Sequence, residues 1–142
     1  MKQVRSIDLL NKEITTVVVA TLDEDGSPHT APFSWVVAKD RRTIMLGLGR
    51  RNNTIRNIRR DGRVALCILD EDNIAMSLKG QARVVREQLH SIPTVALVEI
   101  DVVSIRSNAT AVAKVRSGVR VEIDDKYRAA LRDGFNELKS TP

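Results

Sequence analysis

A single stretch of the chain, residues 48 to 63, concentrates the side chains best suited to bind an anion. Its sequence is LGRRNNTIRNIRRDGR, with six arginines, two adjacent asparagines and one acid. Residues 39 to 63 carry a net charge of +7, whereas the rest of the chain carries −2. The basic excess is therefore local, and it predicts either a surface for nucleic acid or a socket for one phosphate group.

The order of residues in this stretch favours a phosphate socket at the start of a helix over 52–60. Asparagine is a favoured N-cap, so Asn52 and Asn53 fit the start of that helix. Free backbone N–H groups and the positive end of the helix dipole attract anions there. The Thr54 hydroxyl and the cations of Arg50 and Arg51 would join them.

The far end of the same helix has a different character. Ile55 and Ile58 stand three apart and face the core. Arg59, Arg60 and Arg63 lie at or beyond the C-terminal end, where cations match the negative end of the dipole. We interpret these three arginines as solvated surface rather than as ligand-binding residues.

Nucleic-acid binding is the main alternative, with residues 39 to 63 as the footprint. Single-stranded nucleic acid is held in part by exposed aromatic side chains that stack on the bases. Aromatic residues make up 3% of this chain. Their scarcity weighs against a nucleic-acid partner.

The other residues that could do chemistry stand apart from one another. His29, His90 and the single Cys67 have no metal-ligand spacing, so no metal site is predicted. Cys67 lies in the apolar run VALCIL, which predicts a buried structural thiol. The two DED clusters, at 23–25 and 70–72, indicate solvated turns. No catalytic residue is assigned.

Short strands and tight turns must position the helix. Apolar runs and alternation predict strands at 14–22, 29–38, 43–49, 63–69, 75–85 and 94–105. The β-branched first strand is predicted to be buried on both faces, and Asp25-Gly26 to turn the chain after it. Six strands with one intervening helix favour a mainly β antiparallel barrel or sandwich over a parallel α/β sheet.

Two strands carry residues that leave room for a ligand. Pro32 cannot donate to a strand ladder, so we expect it at an edge, at a bulge, or where something other than a strand pairs with the second strand. Gly47 and Gly49 end the third strand, where a residue without a side chain allows a flat ligand to approach closely. Backbone groups near the start of the helix are thus expected to be available.

Helices are predicted at both ends of the chain. One covers 6–13 with Ser6 as its cap. The other covers 124–139, capped by Asp124 or Asp125, with an apolar stripe of Tyr127, Ala130, Leu131, Phe135 and Leu138. A short strand at 119–123 would precede it. We divide the chain into a domain at 1–107 and an extension at 108–142 packed on the same domain.

The compartment follows from what the sequence contains. It has one cysteine, no apolar signal region near its start, and no apolar run approaching the roughly 20 residues of a membrane span. We expect a cytoplasmic protein with no membrane partner.

The order of these features resembles the FMN-binding split β-barrel superfamily, the pyridoxamine 5′-phosphate oxidase-like proteins. A β-branched strand leads into DEDGSPH, then come APFSW, a strand ending in glycine, NNTIRNIRRDGRVAL and KGQARVV. The resemblance covers about residues 6 to 106 and is strongest to the short members, including small bacterial FMN-binding proteins. It implies a six-stranded antiparallel split β-barrel with short helices and a C-terminal helix.

The resemblance also implies a cofactor and an assembly, namely a homodimer that holds FMN non-covalently at the subunit interface. The phosphate-binding positions correspond to Asn52, Asn53 and Thr54, with Arg51 adjacent. The family commonly has a cation where this chain has Asn53, which leaves Arg50, Arg51 or Arg56 to supply the charge. The positions that contact the isoalloxazine correspond to Pro32, Phe33, Ser34, Trp35, Gly47 and Leu48.

The family leaves alternatives open. Related barrels bind a deazaflavin or haem instead of FMN, and a binding module without a cofactor is a further alternative. The true oxidase grips its substrate with a C-terminal stretch rich in Arg and His, whereas residues 108 to 142 here contain no histidine. The resemblance thus implies an FMN-dependent oxidoreductase, such as a flavin reductase, and not pyridoxal phosphate synthesis.

Overall fold

The computed structural model describes residues 7–11 and 15–141 of the 142-residue chain. A short 3₁₀ helix, Ile7–Asn11, comes first. Seven strands follow: β1 Val17–Leu22, β2 Pro28–Phe33, β3 Val36–Asp40, β4 Thr43–Gly49, β5 Arg63–Asp70, β6 Ile74–Arg86 and β7 Val95–Ser107. Helix α1, Asn53–Arg60, lies between β4 and β5, and helix α2, Arg128–Ser140, ends the chain. No described helix is long and apolar enough to span a bilayer.

The strands form one antiparallel sheet in the order β2-β1-β5-β6-β7-β4-β3. Strands β2 and β3 are its two edges, each pairing with one described neighbour, so the sheet is not closed. The predicted mainly β antiparallel class is confirmed, but there are seven strands rather than six. The predicted strand 29–38 divides at Ser34 and Trp35, because the chain crosses there from one edge to the other.

Two predictions about turns and edges are confirmed. Pro32 lies on the edge strand β2, opposite Val18 of β1, where a missing N–H does not interrupt a ladder. Gly26 turns the chain between β1 and β2 with φ of +87°, a conformation that favours glycine. Its N–H donates to the carbonyl of Asp23 at 2.9 Å, which closes the turn.

Two predictions about burial are wrong, and one cause explains both. In β1 the residues alternate, with Val17 and Val19 buried and Val18 37% exposed, rather than being buried on both faces. Cys67 is exposed on β5, in register beside Val18, rather than being a buried thiol. At β1 and β5 the sheet covers the core with one face only, so every second residue of these two strands points outward.

The inner face of the sheet builds the main core, which α1 closes. Strand β6 alternates as predicted, with Met76, Leu78 and Ala82 buried. Ile55 and Ile58 of α1 are buried in the same cluster, as their spacing predicts. A second, smaller cluster lies between the sheet and α2 and contains Val37, Met45, Leu89, Val95, Leu97, Phe135 and Leu138. The two clusters fix the two helices at different places on the sheet.

The two predicted terminal helices are present, and the C-terminal one is shorter than expected. The N-terminal one is the 3₁₀ helix Ile7–Asn11, and Ser6 with residues 12–13 lies outside the described residues. The C-terminal one is α2, preceded by a 3₁₀ turn, Asp125–Tyr127, that Asp124 caps. Of its predicted apolar stripe, Phe135 and Leu138 are buried, Leu131 is partly buried, and Tyr127 and Ala130 are exposed.

The predicted strand at 119–123 does not form. Val119 and Val121 are exposed, and residues 108–124 contain neither helix nor strand. Side chains and backbone of the β5–β6 region hold this segment instead. Asn73 N–H donates to the carbonyl of Val115 at 3.0 Å, and the Arg120 guanidinium donates to Asp70 at 2.9 Å. The division of the chain at residue 107 stays a prediction.

Candidate cofactor site

The start of α1 is fixed by the end of β4 and by a side-chain cap. Arg50 N–H donates to the carbonyl of Thr94 at 2.9 Å, and Asn52 N–H to that of Gly49 at 3.2 Å, so the chain turns directly after β4. The side-chain oxygen of Asn52 accepts the N–H of Ile55 at 3.0 Å. The predicted helix and its asparagine cap are confirmed.

Backbone N–H groups point out of the first turn of α1. Those of Asn53 and Thr54 have no acceptor within the helix, because the first N–H groups of an α-helix precede its hydrogen-bond ladder. The helix dipole adds the equivalent of about half a positive charge at this end. Thr54 is 1% exposed as a whole residue, so the exposed Asn53 is the part of this turn that is open to a ligand. Such an arrangement is a common binding site for phosphate.

Two arginines bring positive charge to the same turn. Arg51 is exposed immediately before the cap. The guanidinium of Arg56, one turn into the helix, donates to the carbonyl of Arg51 at 2.7 Å. That bond folds the Arg56 side chain back toward the helix start. Arg56 therefore supplies a cation close to Asn53, where the family commonly has one in the motif itself.

The structure also places a carboxylate beside the first turn, which was not expected. The side-chain amide of Asn53 donates to Asp23 at 3.0 Å, and that of the buried Asn57 donates to the same oxygen at 2.9 Å. Asn57 also donates to the hydroxyl of Thr21 at 2.9 Å. Sequence analysis missed both Asp23 and Asn57. The one available signal was the spacing of Asn53 and Asn57, which are four apart and share a helix face.

The arginines at the far end of α1 are paired within the chain. Arg59 donates twice to Glu87, at 2.6 and 3.2 Å, and this hydrogen bonding lowers the pKa of Glu87. Arg63 binds Asp61 and lowers the pKa of that carboxyl to about 2. Arg60 reaches the carbonyl of Leu22 at 3.2 Å. This pairing leaves less free charge for a nucleic-acid surface.

Trp35 is enclosed by two glycines. A Cβ added at Gly47 of β4 would lie 3.1 Å from Trp35 Cε3, and one at Gly134 of α2 would lie 3.2 Å from Cζ2. The indole therefore fills the space between the sheet and α2. Its Nε1 is buried and has no hydrogen-bond partner within the described part of the chain. Because Gly47 has no side chain, the indole of Trp35 can pack directly against β4 at this position.

The other predicted ring-contacting residues surround the crossing from β2 to β3. Ser34 Oγ and Thr16 Oγ1 share a hydrogen bond of 2.9 Å. Phe33 packs against the main core, and Pro32 is exposed. Leu48 is buried in the main core. Helix α1 follows β4 directly and contacts β2. Contact with a ligand stays a prediction.

An open surface cavity lies along the side of α1. Its volume is about 420 Å³. One wall is acidic, from the β1–β2 turn, and the other carries amides and guanidinium groups from the helix. Among the predicted site residues Asn53 lines it, and the full lining is Asp23, Glu24, Asp25, Asn53, Arg56, Asn57 and Arg60. Within residues 7–11 and 15–141, no group of three or more His, Cys, Asp or Glu side chains is arranged to hold a metal ion.

The fold and the helix start together define a small, mainly antiparallel β protein whose open sheet is followed by a helix start suited to an anion. Consecutive strands β2 and β3 occupy opposite edges of one sheet, and α1 begins where β4 leaves it. A family model described as pyridoxamine 5′-phosphate oxidase matches residues 6–109. The chain belongs to this family. No curated protein matches it.

Solved structures share the fold at low sequence identity. HupZ of Group A Streptococcus is 21% identical with a TM-score of 0.64, covering 83% of this chain and 100% of its own. An FMN-binding protein of Syntrophomonas wolfei is 15% identical with a TM-score of 0.60, covering 74% and 84%. HutZ, the heme storage protein of Vibrio cholerae, is 13% identical with a TM-score of 0.58, covering 75% and 95%. At these identities the likeness shows the fold alone.

Proposed function

We propose that this chain is an FMN-binding flavoprotein that works as a homodimeric oxidoreductase. The observation that carries the proposal is the start of α1. The N–H group of the exposed Asn53, which precedes the hydrogen-bond ladder of the helix, lies there beside Arg51 and Arg56. The Arg56 guanidinium lies 2.7 Å from the Arg51 carbonyl. When bound, FMN would supply hydride or electron transfer through its isoalloxazine.

The residues of this chain would bind and orient the cofactor. The first turn of α1 and its two arginines would hold the phosphate, and each charge-assisted hydrogen bond contributes about 1.5–3 kcal/mol. The ring would lie near the β2–β3 crossing and the end of β4. Backbone N–H and C=O groups there would contact its polar edge. The residues proposed to contact it are Pro32, Phe33, Ser34, Trp35, Gly47 and Leu48. We assign no side chain the role of general acid or base.

The similarity to known proteins supports a flavin without fixing the reaction. The FMN-binding protein of Syntrophomonas wolfei has the same fold. Family membership alone does not establish pyridoxamine 5′-phosphate oxidation, and the tail lacks the histidine-rich stretch that the true oxidase would need. We therefore propose a flavin reductase or a related oxidoreductase.

The outer face of the sheet supports the proposed homodimer. Val18 of β1 and Leu69 of β5 are exposed there, with Cys67 between them in register beside Val18. Adjacent exposed apolar side chains mark surfaces that contact protein. We propose that a second copy of the chain covers this face, with the cofactor at the resulting interface.

Titration with FMN tests the proposed cofactor directly. The purified chain should quench flavin fluorescence with a dissociation constant in the micromolar range or below, and its absorbance should show a flavin spectrum. Competition by a deazaflavin would reveal whether the site prefers that ring. Absence of binding at micromolar FMN would contradict the proposal.

Haem is the second candidate, because the heme storage protein HutZ has this fold. Haem iron requires an axial ligand, most often histidine. His29 and His90 are the two histidines of the chain, and His29 Nδ1 lies 3.9 Å from a carboxylate oxygen of Asp23. A Soret band after haem addition, lost on replacing either histidine, would favour haem over FMN.

A further inference from the structure

The carboxylate of Asp23 is an unexpected neighbour for a phosphate site. It comes from the turn between β1 and β2, where the backbone of Asp23 is held on both sides. Its N–H donates to the carbonyl of Ser27 at 2.8 Å, and its carbonyl accepts the N–H of Gly26 at 2.9 Å. The turn therefore presents this acid in one place rather than leaving it on a loose loop.

The side chain of Asp23 is held as firmly as its backbone. One of its oxygens accepts from the amides of both Asn53 and Asn57. Asn57 is 1% exposed and is itself fixed by the Thr21 hydroxyl and by Arg60, which donates to its amide oxygen at 3.1 Å. The negative charge is consequently fixed beside the first turn of α1.

A fixed negative charge acts on an incoming phosphate in two ways. It repels a second anion, and this repulsion weakens as distance and salt concentration increase. It also takes one of the two N–H donors of the Asn53 side-chain amide, which leaves only the other to donate to a phosphate. Arg51 and Arg56 act in the opposite direction. The balance between them decides how much a phosphate group adds to binding.

We propose that Asp23 is a specificity-determining residue of the α1 site. It lowers the affinity for a ligand that carries a phosphate relative to the same ligand without one. This inference rests on the proposed flavin function, since FMN and riboflavin differ by that phosphate. The pair of ligands therefore isolates the effect of Asp23 from that of ring binding.

The test compares Asp23→Asn with the unchanged chain. Asparagine keeps an oxygen in position for the amides of Asn53 and Asn57 but removes the charge. We expect the affinity for FMN to rise about three- to tenfold, while that for riboflavin stays the same. Glu24→Gln is the matched control, because Glu24 lines the same cavity and its replacement removes the same charge. It should change FMN affinity less.

The outcomes separate this inference from the proposed function. An unchanged or lower ratio of FMN to riboflavin affinity in Asp23→Asn, or an equal rise in Glu24→Gln, would overturn the role of Asp23. If the unchanged chain binds neither flavin, the proposed function fails. Inorganic phosphate then decides about Asp23 by thermal stabilisation, which reports ligand binding to the folded state. A larger rise in Tm with phosphate for Asp23→Asn supports its role, and an equal rise overturns it.

Discussion

Asn57 joins the start of α1 to the turn between β1 and β2. Both hydrogens of its amide are used, one by the Thr21 hydroxyl and one by Asp23, and its oxygen accepts from Arg60. The side chain is buried, so water cannot replace these partners. A polar residue on the inner side of a short helix is here a structural connector between two elements.

Replacing Asn57 by alanine should lower the free energy of unfolding by about 1–3 kcal/mol, because the Thr21 hydroxyl and Asp23 each lose a partner. Denaturant unfolding measures the change. Asn53→Ala is the control, since Asn53 is exposed and makes one of these contacts. Its replacement should lower the free energy by about 0.5 kcal/mol or less. Equal losses for the two variants would contradict the role of Asn57.

At the scale of residues, the sequence predicted what depends on local spacing. The Asn52 cap and the buried Ile55 and Ile58 are decided within one helix. The bond between Asn57 and Asp23 joins residues 34 apart, so no local pattern contains it. The exposure of Cys67 depends on which face of the sheet packs against the core. An apolar run in the sequence does not indicate which of its residues point to that face.

Helix α2 is attached to the sheet by packing and by one carboxylate. Gly134 weakens a helix in isolation, but its missing side chain makes room for Trp35. Glu137 accepts the N–H groups of His90 and Ser91, each at 2.8 Å, and the Ser91 hydroxyl at 2.7 Å. Partial burial raises the pKa of Glu137, but these hydrogen bonds outweigh that effect and lower its pKa below the usual value of 4.5.

A lowered pKa in the folded state has a defined consequence for stability. The ionised Glu137 stabilises the fold at pH values above its unfolded pKa, and that contribution is lost as the pH falls through the folded pKa. Glu137→Gln should therefore lower the free energy of unfolding by about 1–2 kcal/mol at neutral pH. The difference from the unchanged chain should shrink below about pH 4. Denaturant unfolding at several pH values measures it.

Glu122→Gln provides the control for Glu137→Gln, because Glu122 is exposed in the segment before α2. It should leave stability within about 0.5 kcal/mol at every pH. A loss for Glu137→Gln that is as large at pH 3 as at pH 7 would show that the ionised carboxylate is not the cause.

At the scale of elements, the sequence predicted the presence of the strands more accurately than the residues at which they begin and end. The third predicted strand, 43–49, matches β4. The predicted strand 29–38 breaks at Ser34 and Trp35. The break occurs where the chain crosses the sheet and the indole enters the space between Gly47 and Gly134. That space exists only after α2 has docked, so the alternation in the sequence cannot show it.

For the whole molecule, the exposed face of β1 and β5 leads to a prediction about assembly. Leu69 is 42% exposed and points to the same side as Cys67 and Val18. If a second copy covers this face, Leu69→Arg buries a charge at the interface and should convert the dimer to a monomer. Sedimentation or light scattering measures the mass. Cys67 should react with a thiol reagent faster in that variant.

Val112→Arg is the control for Leu69→Arg, because Val112 is 97% exposed and lies outside every strand. It should leave the dimer intact. A monomeric unchanged chain, or a dimer that survives Leu69→Arg, would contradict the proposed interface.

The broad architecture of the molecule was predictable because many short signals agree in order along the chain. The mainly antiparallel sheet and the helix after β4 follow from alternation, turns and the Asn-Asn cap. The number of strands and the two separate sheet edges follow from contacts between distant segments. The identity of the cofactor and of the partner chain could not be predicted in this way, because both lie outside the chain whose pattern is read.

The central claim is that the start of α1 binds the phosphate of FMN. The most direct measurement is the FMN dissociation constant of Arg56→Gln, compared with that of Arg41→Gln. Arg56 reaches the helix start, whereas Arg41 is exposed in the turn between β3 and β4 and carries the same charge. We predict that Arg56→Gln weakens FMN binding about tenfold or more, while Arg41→Gln changes it little. Equal affinities for the two variants would contradict the claim.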